Sequence, residues 1–251
     1  MKDYIVAKSN SLITGGHFDL SVTEQKIILM LASMVQPGDE IFKIYNLNIK
    51  EFNKLLGIKG TSKNTELRKI TKALKSKVFE IKEGKDILQL SWLGGVRYKT
   101  QEGYLEISLD MNLKPYLLNL GKLYTSYKLE NILQMKSKYS IRFYELLRCR
   151  TFKDFRIKDF IIPIDELKTN MQITEKSYNL YTNFKLNIVD RAQKEIGKFT
   201  DLQFTYKEIK EGRKVIALKF FIEKNEKWQK SDADEIFKQY DLLGNPDDIY
   251  K

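Results

Sequence analysis

One order of secondary-structure elements occurs twice along this chain, and that repetition limits the fold more than any single motif does. In the first half, Ser21-Val-Thr-Glu24 is a capping box, able to satisfy backbone donors at a helix start. Ile27, Ile28, Leu31 and Met34 follow at helical spacing, and Pro37-Gly38 ends the run. Ile41 to Ile44 reads as a short strand and Ile49 to Leu56 as a short helix stopped by Gly57. The polar turn Gly60 to Asn64 leads into a longer helix, Thr65 to Lys77. Two strand-like segments follow, Phe79 to Ile81 leading on through Ile87 to Leu93, and Tyr104 to Leu109, with a Gly- and Lys-rich hairpin between them at Gly94 to Gly103. The second half repeats the order. Tyr139 to Phe152 is an amphipathic helix, Phe160 to Ile164 a strand, and Asp165 to Met171 a short helix with Asp165 as its expected N-cap. Ser177 to Lys198 is a long helix. Leu202 to Ile209 and Val215 to Ile222 are strands joined by the tight turn Lys210-Glu-Gly-Arg213.

A helix-turn-helix followed by a β-hairpin wing is the winged-helix pattern, whose second helix enters the major groove of DNA. The expected fold is therefore α+β: two tandem winged-helix domains, each a helical bundle with a small antiparallel sheet and wing. The expected domains are residues 1–125 and 126–228, with a tail at 229–251; a short helix near Leu129 to Leu133 bridges the first two. Charge follows this division. The net charge of +11 separates into +6, +8 and −3 across the three segments, so two basic bodies precede an acidic end. A basic chain calls for an acidic partner, of which nucleic acid is the commonest.

Enzymatic readings fail largely by absence. His17 is the only histidine, so no histidine pair can hold a metal, and nicking initiators that rely on such a pair are disfavoured. No Gly-x4-Gly-Lys-Ser/Thr loop occurs; Gly57 to Lys63 lacks the phosphate-loop pattern. Carboxylates such as Asp110, Glu145 and Glu166 are scattered, without a cluster that marks a nuclease. The single cysteine, Cys149, lies in an apolar-periodic run and reads as a buried thiol in a reducing compartment. No signal peptide or apolar span is evident, so the expectation is a soluble, cytoplasmic protein without catalytic residues, metal or cofactor.

The candidate DNA contacts lie on the longer helices. In the first half a helical wheel turns Leu67, Ile70, Thr71, Leu74 and Val78 inward. Thr65, Arg68, Lys69, Lys72 and Ser76 face outward, with Lys63 and Asn64 at the helix start. Such cations suit phosphate attachment, which sets register and salt dependence but reads little sequence. The plain alternative is a solvated lysine face. In the second half Tyr181, Phe184, Ile188, Ala192 and Ile196 line the core side. Asn179, Asn183, Asn187 and Lys194 lie opposite, with Thr182 and Arg191 beside them. Asparagine pairs with the N6 and N7 edge of adenine, so the segment from Ser177 to Asn187 is expected in the groove. Asp190 faces outward too and would repel phosphate. Arg97 and Lys99 in the first wing, and Arg213 and Lys214 in the second, are expected at the DNA backbone or minor groove.

Three segments carry a family resemblance. Met135-Lys-Ser-Lys-Tyr-Ser-Ile-Arg-Phe-Tyr-Glu-Leu-Leu147 resembles the segment that opens the second winged helix of iteron-type plasmid replication initiators, the initiator Rep protein superfamily. Phe18 to Ile28 resembles the opening of the first. Lys194 to Leu202 with Gly212 to Val215 resembles the recognition-helix exit and last hairpin. The resemblance spans about Ser9 to Glu226. It implies a monomer that binds directly repeated origin DNA and helps melt the neighbouring duplex. It also implies a dimer that represses its own gene at an inverted repeat, and host initiator and helicase as partners. Within the signature helix, Tyr139, Ile141, Phe143, Leu146 and Leu147 are expected to pack, leaving Lys136, Lys138 and Arg142 exposed toward phosphate. Two alternatives stay open: a winged-helix transcription repressor with no replication role, and a DNA-nicking endonuclease.

Overall fold

A computed structural model describes residues 4–36, 38–60, 62–151 and 157–228. The first half begins with β1 (Ile5–Ser9), α1 (Asn10–Gly15) and β2 (Gly16–His17), followed by α2 (Val22–Met34). The capping box forms as expected: the Glu24 amide donates to the Ser21 hydroxyl, and the Ser21 amide donates to Glu24 Oε2 at 2.7 Å. Next come β3 (Tyr45–Asn48), α3 (Ile49–Leu55), α4 (Lys63–Ser76), β4 (Val78–Glu83), β5 (Asp86–Ser91), β6 (Leu93–Lys99) and β7 (Tyr104–Leu109). Gly57, at φ 70°, supplies the left-handed residue that ends α3. α5 (Lys114–Leu117), β8 (Tyr124–Lys128) and α6 (Glu130–Leu133) lead out of this half.

The second half is α7 (Lys138–Thr151), β9 (Asp159–Pro163), α8 (Ile164–Asn170), a 3-10 turn at Lys176–Asn179, α9 (Tyr181–Phe184), a π turn at Lys185–Val189, α10 (Asp190–Phe199), β10 (Leu202–Glu211) and β11 (Lys214–Lys224). All strand pairs are antiparallel. The sheet orders are β1-β8, β2-β4-β5, β3-β7-β6 and β10-β11-β9. The chain is thus two winged helices in tandem: α2, α3 and α4 with the β6–β7 wing, then α7, α8 and the 181–199 helical run with the β10–β11 wing.

Several local expectations shift. The strand expected at Ile41 to Ile44 forms at β3 instead, because Tyr45 and Leu47 are the alternating pair that turns inward, opposite Ile107 and Leu105 of β7; Ile41 and Ile44 are exposed. The segment expected to lead from Phe79 through Ile87 to Leu93 divides twice: it folds back at Gly84, φ 61°, so that β4 and β5 pair antiparallel, and it breaks at Trp92, whose ring stacks on Phe79 and meets Phe18 edge-on, so β5 and β6 join different sheets. Val78, expected inward, is exposed at the start of β4. Pro163 rather than Asp165 occupies the N-cap of α8, and Asp165 lies in its first turn. Thr61, Phe152 and the acidic tail lie outside the described residues, as does Pro37, the expected stop of the first helix. Cys149 is buried, as its periodic setting suggests.

α7 joins the halves. It is buried on nearly every side and packs against α1, α2, β8 and α10. The domain boundary expected at 125/126 falls inside β8, which pairs with the N-terminal β1. At this junction Lys8 Nζ donates to Glu145 Oε1 at 2.8 Å, and Tyr127 Oη donates to the same oxygen at 2.6 Å. Burial pushes the Lys8 ammonium below its usual range, while Glu145 opposes that shift; burial and Glu145 together push the Tyr127 phenol up. The same helix presents Arg142, and this corrects its expected place on the surface. Only 5% of Arg142 is exposed. Its guanidinium lies over the Phe18 ring and donates to the carbonyls of Ile13, Gly16 and Asn170, so it ties both halves together and is closed to DNA.

A buried carboxylate that pairs with a buried ammonium should be costly to remove, since its loss leaves the Lys8 charge uncompensated. Glu145→Ala is expected to lower the unfolding free energy by about 3–5 kcal/mol, measured by urea denaturation of the whole chain. An unchanged midpoint would show that this junction does not hold the halves together.

Candidate nucleic-acid interface

α4 presents an exposed face because Leu67, Thr71 and Leu74 bury its other side. Lys63, Asn64, Thr65, Arg68, Lys69 and Lys72 are all exposed, as the helical wheel predicts. Asn64 is tied to α3, its Oδ1 accepting from Asn53 Nδ2 at 3.2 Å. The wing leans on this helix. Thr71 Oγ1 and Tyr98 Oη share a hydrogen bond of 2.7 Å, and the Arg68 guanidinium lies over the Tyr98 ring. Helix and wing together enclose an open groove of about 630 Å³ lined by Thr65, Arg68, Lys69, Lys72, Val96 and Tyr98. Lys75 closes one end, donating to the carbonyls of Leu93 and Gly94. Lys75 and Tyr98 join the site beyond the residues that the helical wheel predicts. Lys75 lies seven residues from Arg68, on the same helical face, and Tyr98 alternates with Arg97 and Lys99, so both signals were present.

The first wing differs from expectation in one respect. Arg97 and Lys99 lie on β6, not at the hairpin tip, which is residues 100–103. Both face Glu106 on β7: Lys99 at 2.8 Å and Arg97 at 3.4 Å. The hydrogen bond between Glu106 and Lys99 holds the carboxyl below its usual range and the ammonium above it. A phosphate at this wing must compete with Glu106 for the same cations.

The second helix is not one regular rod from Ser177. Ser177 and Asn179 belong to the separate 3-10 turn, Leu180 is extended, and the helical run begins at Tyr181. Its core side is formed by Phe184, Ile188, Ala192 and Ile196, with Tyr181 half-buried. Tyr181 and Lys185 both donate to Glu208, Tyr206 donates to Asp190, and Gln193 donates to the Phe204 carbonyl, so β10 holds the helix at four points. Asp190 therefore points at a tyrosine hydroxyl rather than out alone. Thr182, Asn187, Arg191 and Lys194 are exposed and Asn183 is half-buried. Each asparagine amide is partly engaged: Asn183 Nδ2 donates to the Ser177 carbonyl and Asn187 Nδ2 to the Asn183 carbonyl, both at 3.1 Å. One N–H and the Oδ1 of each remain for an adenine edge. Arg191 pairs with Glu195 at 3.2 Å.

Arg213 and Lys214 stand exposed at the second hairpin, where Gly212 at φ 57° makes the tight turn. At the start of α7, Lys136 is exposed, and the amides of Lys136 and Ser137 donate to Glu195 of α10. Lys138 bridges Asp19 and Glu175. Among the described residues no group of histidine, cysteine and carboxylate side chains could hold a metal, and no helix is long and apolar enough to cross a membrane.

The comparisons with known proteins agree with this architecture. Residues 5–148 match the family model described as Initiator Replication protein, WH1, and residues 163–222 match Initiator Rep protein, WH2. The PI protein of Escherichia coli is 31% identical over 205 residues, covering 75% of this chain and 67% of that protein. A replication initiation protein of Escherichia coli is 25% identical over 232 residues, covering 89% of this chain and 71% of the relative. The crystal structure of Pi initiator protein in complex with iteron DNA superposes with a TM-score of 0.69 at 24% identity, covering 88% of this chain and 98% of that one; at that identity the likeness speaks for the fold. With both winged-helix units matched by their own models, this chain belongs to the initiator replication protein family.

Proposed function

We propose that this protein starts plasmid replication by binding directly repeated double-stranded DNA through both winged helices, and that it acts by assembly rather than by catalysis. The carrying observation is the α4 face, where Arg68, Lys69 and Lys72 stand exposed beside a wing that leans on the same helix. Membership in a family of initiators supports the replication role. The solved relative was crystallised with iteron DNA, which supports repeats as the ligand.

The division of labour proposed here places phosphate attachment in the first domain, residues 1–125, through Lys63, Asn64, Thr65, Arg68, Lys69, Lys72, Arg97 and Lys99. Sequence readout falls to the second, residues 126–228, through Ser177, Asn179, Thr182, Asn183 and Asn187, with Arg191, Lys194, Arg213, Lys214, Lys136 and Lys138 along the backbone. Arg142 is excluded by its burial. A dimer formed through the first domain would repress the gene at an inverted repeat, and host initiator and helicase would be recruited in the cytoplasm.

Footprinting on the DNA around the coding region tests the reading directly. Tandem, equally spaced protection beside an A·T-rich stretch is the expected result; a lone protected palindrome would instead make the protein a repressor only. Asn183→Ala with Asn187→Ala should weaken specific binding by roughly 10-fold or more while sparing non-specific binding, read in competition gel shifts. Equal loss in both would remove the asparagines from readout. Lys69→Ala with Lys72→Ala should flatten the plot of log K against log salt by about 2 units of slope. The same slope as the parent would take these lysines off the phosphates.

A further inference from the structure

Two leucines stand out beside the asparagines, Leu180 just before the helical run and Leu186 within it. Leu180 is 60% exposed and Leu186 is 62% exposed, although Phe184, Ile188, Val189, Ala192 and Ile196 of the same run are buried. One exposed leucine on a protein surface needs no explanation. Here, however, the two flank Thr182 and Asn183, and Leu186 adjoins Asn187. Two positions after Phe184, Leu186 falls on the side of the run away from Phe184, Ile188, Ala192 and Ile196, and within the π turn at Lys185–Val189 Leu186 and Asn187 are exposed while Ile188 and Val189 are buried. β10 fixes that outward face, since Lys185 is held by Glu208 and Asp190 by Tyr206 on either side.

Leucine has no donor or acceptor, so in the major groove only an apolar group can reward it. The single apolar group that base pairs present there is the C5-methyl of thymine. Asparagine, its neighbour, is suited to the adenine edge of the same kind of pair. We infer that Leu186, with Leu180 at the helix start, is a specificity-determining contact that reads thymine methyl groups beside the adenines addressed by Asn183 and Asn187. This rests on the DNA-binding reading above and adds to it the chemical group that the second helix selects.

The test uses the full chain and a duplex carrying one protected repeat, in which each thymine is replaced in turn by deoxyuridine. That change deletes one methyl and leaves base pairing intact. The parent protein is expected to lose affinity by roughly 3–10-fold at one or two positions, the scale of one or two methyl burials. Leu186→Ala should bind the thymine duplex more weakly by a similar factor and become indifferent at one of those positions. Leu186→Met, which keeps apolar reach, should retain the sensitivity. Non-specific binding of all three should match, which checks that the exposed substitution leaves the fold intact. Indifference of the parent to every replacement overturns the inference while specific binding itself persists. So does a Leu186→Ala variant that keeps each sensitivity. Absence of any specific complex with the unmodified repeat would overturn the DNA reading and this inference together.

Discussion

Glu145 sits almost without solvent between Lys8 and Tyr127, with Arg142 one helical turn away on the same α7, and the relation between the two halves depends on that arrangement. A carboxylate there is tolerable only because a cation and a phenol satisfy it, and Lys8 is tolerable only because the carboxylate offsets its desolvation. Arg142 spreads its donors over carbonyls of Ile13 and Gly16 at the α1–β2 junction and of Asn170 at the end of α8, so one side chain fixes two segments far apart in sequence. Apolar packing around α7 supplies cohesion; these directional contacts supply the geometry. Asn131 and Tyr144 both donate to Asp201, adding a second polar link from the same region to the start of β10.

That junction matters because each winged helix alone offers a modest grip. Phosphate contacts position a protein on the duplex, and base contacts then specify it. Two heads held in one orientation can contribute both kinds of contact to a single duplex without losing that relative freedom on binding. The charges are distributed accordingly. On the first wing, Glu106 sits between Arg97 and Lys99, and near α7 Lys138 lies between Asp19 and Glu175. Lys69 and Lys72 on α4 are exposed and carry no ion pair among the described residues, unlike the cations of the first wing. Arg68 is steered by the Tyr98 ring, so its direction is set before any ligand arrives.

Element order was largely legible because both periods were clean. The capping box at Ser21 to Glu24, the stop at Gly57, the outward face of α4 and the core side of the 181–199 run all appear where patterning places them. The errors cluster where a tertiary partner overrides a local pattern. Trp92 divides an apparently continuous strand because its ring is claimed by Phe18 and Phe79. The π turn at Lys185–Val189 interrupts the regular helix that spacing predicts, and local periodicity does not register such an insertion. β1 and β8 leave little local signal because Ile5–Ser9 and Tyr124–Lys128 become strands by pairing with each other, and the two-residue β2 exists only as a partner of β4.

The amino-acid sequence alone determined the class of the molecule: two basic winged helices, a buried cysteine, and cationic or asparagine-bearing faces opposite apolar ones, all consequences of local periodicity and composition. Only the tertiary structure decided the fate of individual charges. Arg142 reads on a wheel like Lys136 and Lys138, yet it is enclosed because α1 and α8 close over it from distant parts of the chain. Whether a cation meets water, a carboxylate or a carbonyl depends on which remote segment arrives beside it, and helical spacing within one element carries no record of that.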